Sequence, residues 1–376
     1  MSSTPSFHAL TVAQVRPEAA GSVAVTFHIP SALQGLFEFQ PGQFLTLRTH
    51  LDGQEVRRNY SICSTPKRLQ EKQEIEIGVR AVPGGLFSNW AVDHLKAGDT
   101  LDVMPPEGRF VSKKPRALHR VGFAAGSGIT PILSLMQHSL ETQPDAKFSL
   151  VYGNRNMASV MFNETLQDLK DRYADRVTLL HILSRQEQSA DLLEGRIDAE
   201  KVRTLIDTLL PVGSLAEVFV CGPEGMIDAT EQALLAAGVA TDRVHSERFG
   251  TRSPSPDSAH DAKAAARSQG AQNSAPSGAS PASANVALTL VLDGQTHTLN
   301  MTADERVLEV ALAAGLDVPY SCKGGVCCTC RAKVLQGSVQ MDRNFTLEKW
   351  ETDQGFVLSC QARPSSDKLT LSYDER

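Results

Sequence analysis

Three kinds of apolar spacing succeed one another along the chain. Up to about residue 112, apolar and polar positions alternate with period two, as in Val23-Ala24-Val25-Thr26-Phe27-His28-Ile29, Phe44-Leu45-Thr46-Leu47 and Ile75-Glu76-Ile77-Gly78-Val79. Turn residues break these runs at Pro41-Gly42 and Pro105-Pro106-Glu107-Gly108. Short alternating strands punctuated in this way predict an antiparallel β-barrel or sandwich over 1–112. From 113 to 250 the pattern becomes short continuous apolar runs: Val121 to Ala124, Phe148 to Tyr152, Val177 to Leu183 and Val218 to Cys221. Each run is followed by a stretch of helical period, over 131–141, 160–173, 199–209 and 225–237. Buried strands alternating with amphipathic helices predict an α/β domain with a parallel sheet covered on both faces. From 286 to 376 the chain reads as a β-hairpin (287–292 and 295–301), a helix over 306–314 and then a loop rich in cysteine.

One interval fits none of these patterns. Thr251 to Asn285 contains no Val, Ile, Leu, Met, Phe, Tyr, Trp or Cys, and Ala, Ser, Pro and Gly dominate it. Such a composition buries too little apolar surface to offset the entropy of ordering, so 251–285 is predicted to be a mobile linker. A flexible chain of that length spans roughly 30–35 Å, about 5–6 Å times the square root of its residue count. The 376 residues are thus expected to form three domains and one tether.

Composition narrows the function classes. The net charge of −6 argues against nucleic acid or an anionic membrane surface as main partner. The first residues carry no apolar core of a signal peptide, and no run approaches the roughly 18 apolar residues of a membrane helix. A soluble, cytoplasmic protein is expected. The seven cysteines agree with a reducing compartment, since an odd count and no secretory signal make a disulfide framework a poor explanation.

Four of those cysteines carry the strongest motif. Cys322, Cys327 and Cys330 stand in the spacing C-x4-C-x2-C, and Cys360 follows at a distance. This is the ligand spacing of a plant-type [2Fe–2S] cluster, a one-electron carrier. Zinc sites pair C-x2-C with a second pair or with histidines, and no His lies near Cys360. Gly324 and Gly325 let backbone N–H groups turn toward the cluster. Cys328 falls between the ligand positions and reads as a small non-ligand side chain.

Several weaker motifs point to phosphates and rings. Arg58-Asn59-Tyr60-Ser61 follows a strand pattern; the Arg can hold a phosphate, and Tyr60, on the same strand face, offers a flat surface to a ring. Taken alone, these residues also suit ordinary barrel surface. Gly84-Gly85-Leu86-Phe87-Ser88 places glycines and a serine at a helix start, a ready site for a pyrophosphate. Gly126-Ser127-Gly128-Ile129-Thr130-Pro131 lies between a strand and a helix, where close backbone approach to phosphates is possible, although it is not a full G-x-G-x-x-G. Ser184-Arg185 ends the third strand of the α/β segment, where a hydroxyl and a guanidinium suit an adenosine 2′-phosphate as well as plain solvation. Cys221-Gly222-Pro223 ends the fourth strand, at the edge where doubly wound sheets bind ligands; Cys221 reads either as a buried structural thiol or as a neighbour of nicotinamide. Glu247-Arg248-Phe249 closes the last strand before the linker.

In this order the motifs resemble the ferredoxin–NADP reductase superfamily, in the form that carries a ferredoxin domain at the C-terminus. The resemblance covers all but the linker. It implies an FAD-binding barrel, a nicotinamide-binding α/β domain and a β-grasp [2Fe–2S] domain. Arg58, Tyr60 and Ser61 resemble the flavin-binding RxYS, while Gly84, Gly85 and Ser88 resemble the turn that takes the FAD pyrophosphate. Gly126, Gly128, Thr130 and Pro131 resemble the nicotinamide-dinucleotide loop. Ser184 and Arg185 resemble the pair that selects NADPH, with NADH a possible second donor. Cys221, Gly222 and Pro223 resemble the CGP motif beside the nicotinamide. Ser61, Cys221, Glu247 and Phe249 are the implied catalytic group; Phe249 replaces the Tyr of plant enzymes. Within the superfamily, YGNR, LSRQ and CKGGVCCTCRAKV narrow the resemblance to reductases that feed the di-iron oxygenase subunits of a multicomponent complex. Two alternatives stay open: the reductase of a ring-hydroxylating or alkyl-group oxygenase, and a flavin-only NAD(P)H dehydrogenase with a C-terminal docking or zinc module.

Overall fold

The computed structural model describes residues 6–114, 116, 118–249 and 286–375, so the predicted linker lies outside the described residues. Contacts divide the chain into two compact units, one holding the first two sheets and the other the C-terminal sheet.

The alternating segment forms β1 (His8–Pro17), β2 (Ser22–His28), β3 (Phe44–Leu51), β4 (Gln54–Ser61), β5 (Glu74–Arg80) and β6 (Thr100–Val103), with helices α1 (Pro66–Lys72) and α2 (Leu86–His94) between strands. The strands pair antiparallel in the order β4-β3-β6-β1-β2-β5. An antiparallel bridge from Ile62 to Ile77 brings the two edge strands together, so the sheet curls into a barrel. Its interior is filled by one member of each alternation, among them Leu10, Val12, Val25, Phe27, Leu45, Leu47, Ile75, Ile77 and Val79, all nearly inaccessible to solvent.

The second segment forms β7 (His119–Ala125), α3 (Ile129–Thr142), β8 (Lys147–Asn154), α4 (Asn163–Arg172), β9 (Val177–Leu183), α5 (Ala199–Thr208), β10 (Glu217–Gly222), α6 (Glu224–Ala236) and β11 (Val244–Arg248). All five strands are parallel, in the order β11-β10-β7-β8-β9. Side chains of α3 and α4 pack on one face, and those of α5 and α6 on the other. Helix α4 starts three residues later than its apolar period suggests, because Phe162 is held at φ 57 and a 3-10 turn precedes it. The barrel and this sheet are pinned together. Ser134 Oγ donates to the Ser64 carbonyl at 2.6 Å, Gln137 Nε2 to the Cys63 carbonyl at 3.0 Å, and Phe162 N–H to Glu18 Oε2 at 2.9 Å.

A buried ion pair lies at the N-terminal edge of the sheet. Arg120 Nε meets Glu217 Oε2 at 3.1 Å, with the two side chains 1% and 0% exposed. Glu217 also accepts from Ser112 Oγ at 2.6 Å and from the N–H groups of Lys113 and Lys114, which fastens the connector between barrel and sheet.

The C-terminal unit contains β12 (Val286–Leu292), β13 (Gln295–Met301), α7 (Val307–Ala313), β14 (Arg331–Gln336), β15 (Val339–Met341), α8 (Lys349–Asp353), β16 (Phe356–Leu358), β17 (Ala362–Pro364) and β18 (Lys368–Ser372). The mixed sheet runs β13-β12-β18-β14-β16, with β12 and β18 parallel, and β15 and β17 make a separate ribbon. Helix α7 buries Val307, Leu308 and Ala311 on this sheet, which is the β-grasp arrangement. Among the described residues, no helix is long and apolar enough to cross a membrane.

Candidate functional site

The residues of the first unit gather at the C-terminal edge of the parallel sheet, against the mouth of the barrel. Ser61 is the last residue of β4 and Glu247 the fourth of β11, and Ser61 Oγ donates to Glu247 Oε2 at 3.0 Å across 186 positions of sequence. Parallel pairing of β10 with β11 sets Cys221 opposite Glu247. Cys221 is fully buried, and burial first and the Glu247 charge second push its thiol pKa well up, so it stays protonated. Glu247 keeps part of its surface toward solvent. The protein packed around its carboxyl nevertheless raises its pKa to about 8, with the Ser61 donor working in the opposite direction. A carboxyl, a neutral thiol and a hydroxyl are thereby brought together, and the carboxyl can hold or release a proton near neutral pH. Phe249 follows β11 directly and is 43% exposed.

Arg58, Tyr60 and the turn over 84–88 lie on the barrel. Arg58 and Tyr60 share one face of β4; the Arg58 guanidinium donates to the Arg57 carbonyl at 2.7 Å, and no acidic side chain among the described residues is seen paired with it. Burial raises the Tyr60 hydroxyl well above its usual range, the Arg58 charge opposing this. The Tyr60 ring packs on Phe87 of α2 with centroids 5.4 Å apart, which joins the β4 motif to the glycine turn. Gly84 takes φ +73, and a Cβ on Gly85 would come 2.5 Å from Ser88 Oγ and 2.6 Å from Val82 Cγ2. Ser88 does not face outward from the helix start: its Oγ accepts the Val82 N–H at 3.2 Å and closes the turn. Asn89, outside the glycine motif, adds a second clasp by donating to the Gly85 carbonyl at 2.7 Å. The result is a preshaped backbone turn beside an available guanidinium and an aromatic face, which fits an aromatic ring carrying a pyrophosphate.

The loop from Gly126 to Pro131 is equally tight. Gly126 has φ +56, and a Cβ there would lie 3.1 Å from Arg80 Nη1; one on Gly128 would fall 2.1 Å from the Cys221 carbonyl oxygen. The loop therefore rests directly on the strand that ends in Cys221, Gly222 and Pro223. Thr130 Oγ1 donates to the Ser127 carbonyl at 3.0 Å, and Pro131 is the third residue of α3, where a missing N–H leaves no helix bond unmade. Pro223 caps α6. Two residues outside the glycine loop support it: Tyr152, the first residue of the YGNR stretch, donates its Oη to the Gly126 carbonyl at 2.8 Å, and Arg80, from the barrel, brings a cation to the same turn. Arg80 belongs to no recognisable run, and nothing in the YGNR stretch announces which group its Tyr meets.

Ser184 and Arg185 continue the pairing of β8 with β9 past the strand ends. Their N–H groups donate to the Asn154 carbonyl at 2.9 Å and the Arg155 carbonyl at 2.8 Å. Ser184 is half-buried and Arg185 exposed, beside Arg155 at the same edge, so two guanidinium-bearing residues border one position.

In the C-terminal unit the four predicted ligands converge. Hydrogen-bond contact with Cys327 and then with Cys360, helped by the N–H groups of Gly324 and Val326, holds the Cys322 thiol far below its ordinary range, and Cys330 is likewise in contact with Cys360. Gly324 N–H points at Cys322 Sγ from 3.3 Å. Among the described residues no three metal-binding side chains close around a single ion. The pairwise thiol contacts ringed by N–H donors match a two-iron cluster, where each iron takes two thiolates. Cys328 points elsewhere, with its Sγ 2.9 Å from Thr346 Oγ1.

Three family descriptions match the chain in sequence order: an oxidoreductase FAD-binding domain over residues 13–111, an oxidoreductase NAD-binding domain over 123–232, and a 2Fe-2S iron-sulfur cluster binding domain over 290–365. Fold and matches together define an NAD(P)H-dependent flavin and iron–sulfur oxidoreductase. The chain is 41% identical to the E subunit of 1,2-phenylacetyl-CoA epoxidase of Escherichia coli (strain K12) over 374 residues, covering 98% of each. It is 35% identical to "3-ketosteroid-9-alpha-monooxygenase, ferredoxin reductase component" of Rhodococcus rhodochrous, covering 97% of this chain and 96% of that one. The solved structure of phthalate dioxygenase reductase shares the fold, with TM-score 0.58 and 23% identity over 97% of this chain and 98% of that one. The chain belongs to the family of oxygenase reductase components that includes the E subunit of 1,2-phenylacetyl-CoA epoxidase.

Proposed function

We propose that the chain takes electrons from NADPH and delivers them, by way of FAD and the cluster, to the di-iron oxygenase subunits of a phenylacetyl-CoA epoxidase complex. The flavin, when bound, splits a two-electron hydride into single electrons, and the cluster carries them one at a time. The observation that carries the reading is the bond from Ser61 to Glu247, which fastens the end of the flavin-directed strand to the end of the nicotinamide-directed sheet. A ring lying on Tyr60 and a nicotinamide entering over Gly128 and Cys221 would meet there. Arg58, Gly84 and Gly85 would bind the flavin phosphates, with Ser88 shaping their turn. Gly126, Gly128, Thr130 and Pro131 would seat the nicotinamide dinucleotide, beside Gly222 and Pro223. Ser184 and Arg185 would grip the 2′-phosphate, which favours NADPH over NADH. Ser61 would orient Glu247, Cys221 would wall the nicotinamide while staying neutral, and Phe249 would cover the ring until the nucleotide arrives. Cys322, Cys327, Cys330 and Cys360 would hold the irons. Seven cysteines, none of them in a disulfide, suit work in the reducing cytoplasm.

The near full-length likeness to the epoxidase reductase of Escherichia coli supports the choice of partner. The test is reconstitution: the FAD- and cluster-loaded protein is given NADPH, then a phenylacetyl-CoA di-iron oxygenase or a ring-hydroxylating oxygenase. Faster product formation with the first is expected; faster turnover of the second would sink the assignment. NADPH and NADH are compared in the same assay, and equal kcat/KM would refute the donor preference.

A further inference from the structure

Gln361 directly follows the fourth cluster cysteine and is only 3% exposed. Its Nε2 donates to the Lys323 carbonyl at 3.0 Å and to the Cys360 carbonyl at 2.9 Å, and lies 3.5 Å from Cys360 Sγ. An amide nitrogen has two hydrogens, so these acceptors share them. Lys323 belongs to the loop that carries the other three cysteines, and it sits at φ 52, a left-handed conformation that a side chain disfavours. The stem of Gln361 lies against the same loop: a Cβ on Gly325 would come 3.2 Å from Gln361 Cγ. Its backbone is tied as well, with N–H donating to the Leu358 carbonyl at 2.8 Å and the carbonyl accepting from Asp342 N–H at 3.0 Å. One buried amide thus bridges the two stretches that supply cluster ligands and offers a donor to one of the sulfurs.

We propose that Gln361 is a positioning residue of the cluster, stapling the 322–330 loop to Cys360 and setting the reduction potential through its N–H. The inference rests on the assignment of the four cysteines as ligands. An N–H aimed at a thiolate stabilises the extra negative charge of the reduced cluster, so its loss lowers the potential. Releasing the Lys323 carbonyl also frees a strained loop, so iron should leave more readily.

The test uses the full chain. Gln361→Met keeps the side chain's length and apolar stem but removes the donor. Iron and sulfide should stay near two each per chain. The midpoint potential should fall by the equivalent of about tenfold in the reduced-to-oxidised ratio, about 59 mV for one electron. Iron release to a chelator should quicken roughly tenfold, the worth of one good hydrogen bond. Gln361→Glu, of the same shape but with a carboxylate facing the thiolate, should lower the potential further. Loss of the cluster from both variants would contradict the expected iron and sulfide content and overturn the potential-setting role. A wild-type potential together with a wild-type release rate in either variant would overturn the proposal. Absence of a two-iron spectrum from the wild type would instead overturn the ligand assignment beneath it.

Discussion

Replacing Glu217 by Gln should destabilise the first unit by about 3 kcal/mol while leaving its chemistry untouched. Arg120 and Glu217 are 1% and 0% exposed, so neither charge can turn to water if its partner is lost. Arg120 also donates to Gln143 Oε1 at 3.0 Å and to the Lys114 carbonyl at 2.7 Å, which hold the guanidinium where the carboxylate was. Breaking such a buried pair costs about 3–5 kcal/mol. A second route gives a similar figure. Burial works to raise the Glu217 pKa, but bonds from His245, Ser112, Lys113 N–H and Arg120 outweigh it and bring it from 4.5 down to about 2. At about 1.4 kcal/mol per tenfold, that drop corresponds to about 3 kcal/mol. Because the folded value lies below the unfolded one, the stabilisation is present above about pH 4.5 and is lost as pH falls toward 2. With a urea m-value of about 2–3 kcal/mol/M, the unfolding midpoint should fall by about 1 M or slightly more at pH 7. By pH 3 the gap between wild type and variant should shrink to under about half. Release of bound flavin during urea titration of the full chain reads this unit specifically. The double variant Arg120→Met/Glu217→Gln should recover much of the loss, since no unpaired charge stays buried. Glu217 begins β10 and Cys221 lies near its far end, so NADPH-dependent flavin reduction in the absence of urea should stay close to wild type. A Glu217→Gln midpoint equal to that of the wild type at pH 7, or a gap that does not narrow in acid, would refute the reasoning.

Other outcomes follow from the same geometry. Ser61→Ala removes the donor that opposes the rise of the Glu247 pKa, so that pKa should climb above about 8; flavin reduction should slow roughly tenfold, the worth of one hydrogen bond, and its pH profile should move to higher pH. Arg185→Ala should raise the KM for NADPH roughly 10–100-fold, as expected for a lost charge-assisted bond, and leave the KM for NADH nearly unchanged. Gly128→Ala would push a methyl to 2.1 Å from the Cys221 carbonyl, so NADPH should cease to reduce a flavin that still binds, as anaerobic spectra would show.

The layered plan of the chain was legible because each layer has its own apolar period. The strand over 177–183 and the helix starting at 199 lie where the pattern puts them, since the buried side chains there recur at the spacing of the element. The turns at Gly84 and Gly85 and at Gly126–Gly128 were legible as well, because glycines at tight turns leave a local signature. What stayed hidden is whatever depends on tertiary approach. Nothing near Ser61 announces a bond to a residue 186 positions away. Arg80 and Tyr152 support the Gly126–Gly128 loop from β5 and β8; an Arg at a strand end is too ordinary to stand out, and YGNR does not say which group its Tyr meets. Glu217 reads as a polar residue before a strand, and only the fold shows that it is sealed in with Arg120. The late start of α4 was missed because left-handed Phe162 leaves the apolar pattern intact while breaking the helix. Helix α8 and the β15–β17 ribbon are too short for periodicity to register.

The central claim is an ordered path from nucleotide through flavin and cluster to an oxygenase. It is tested most directly by mixing NADPH anaerobically with FAD-loaded wild type and with FAD-loaded Cys330→Ser to follow flavin reduction, then presenting each to the di-iron oxygenase with phenylacetyl-CoA and O2. Flavin bleaching is expected at the same rate in both proteins, with epoxide formed only by the wild type. Epoxide formed at the wild-type rate by a Cys330→Ser protein without cluster absorbance would contradict it.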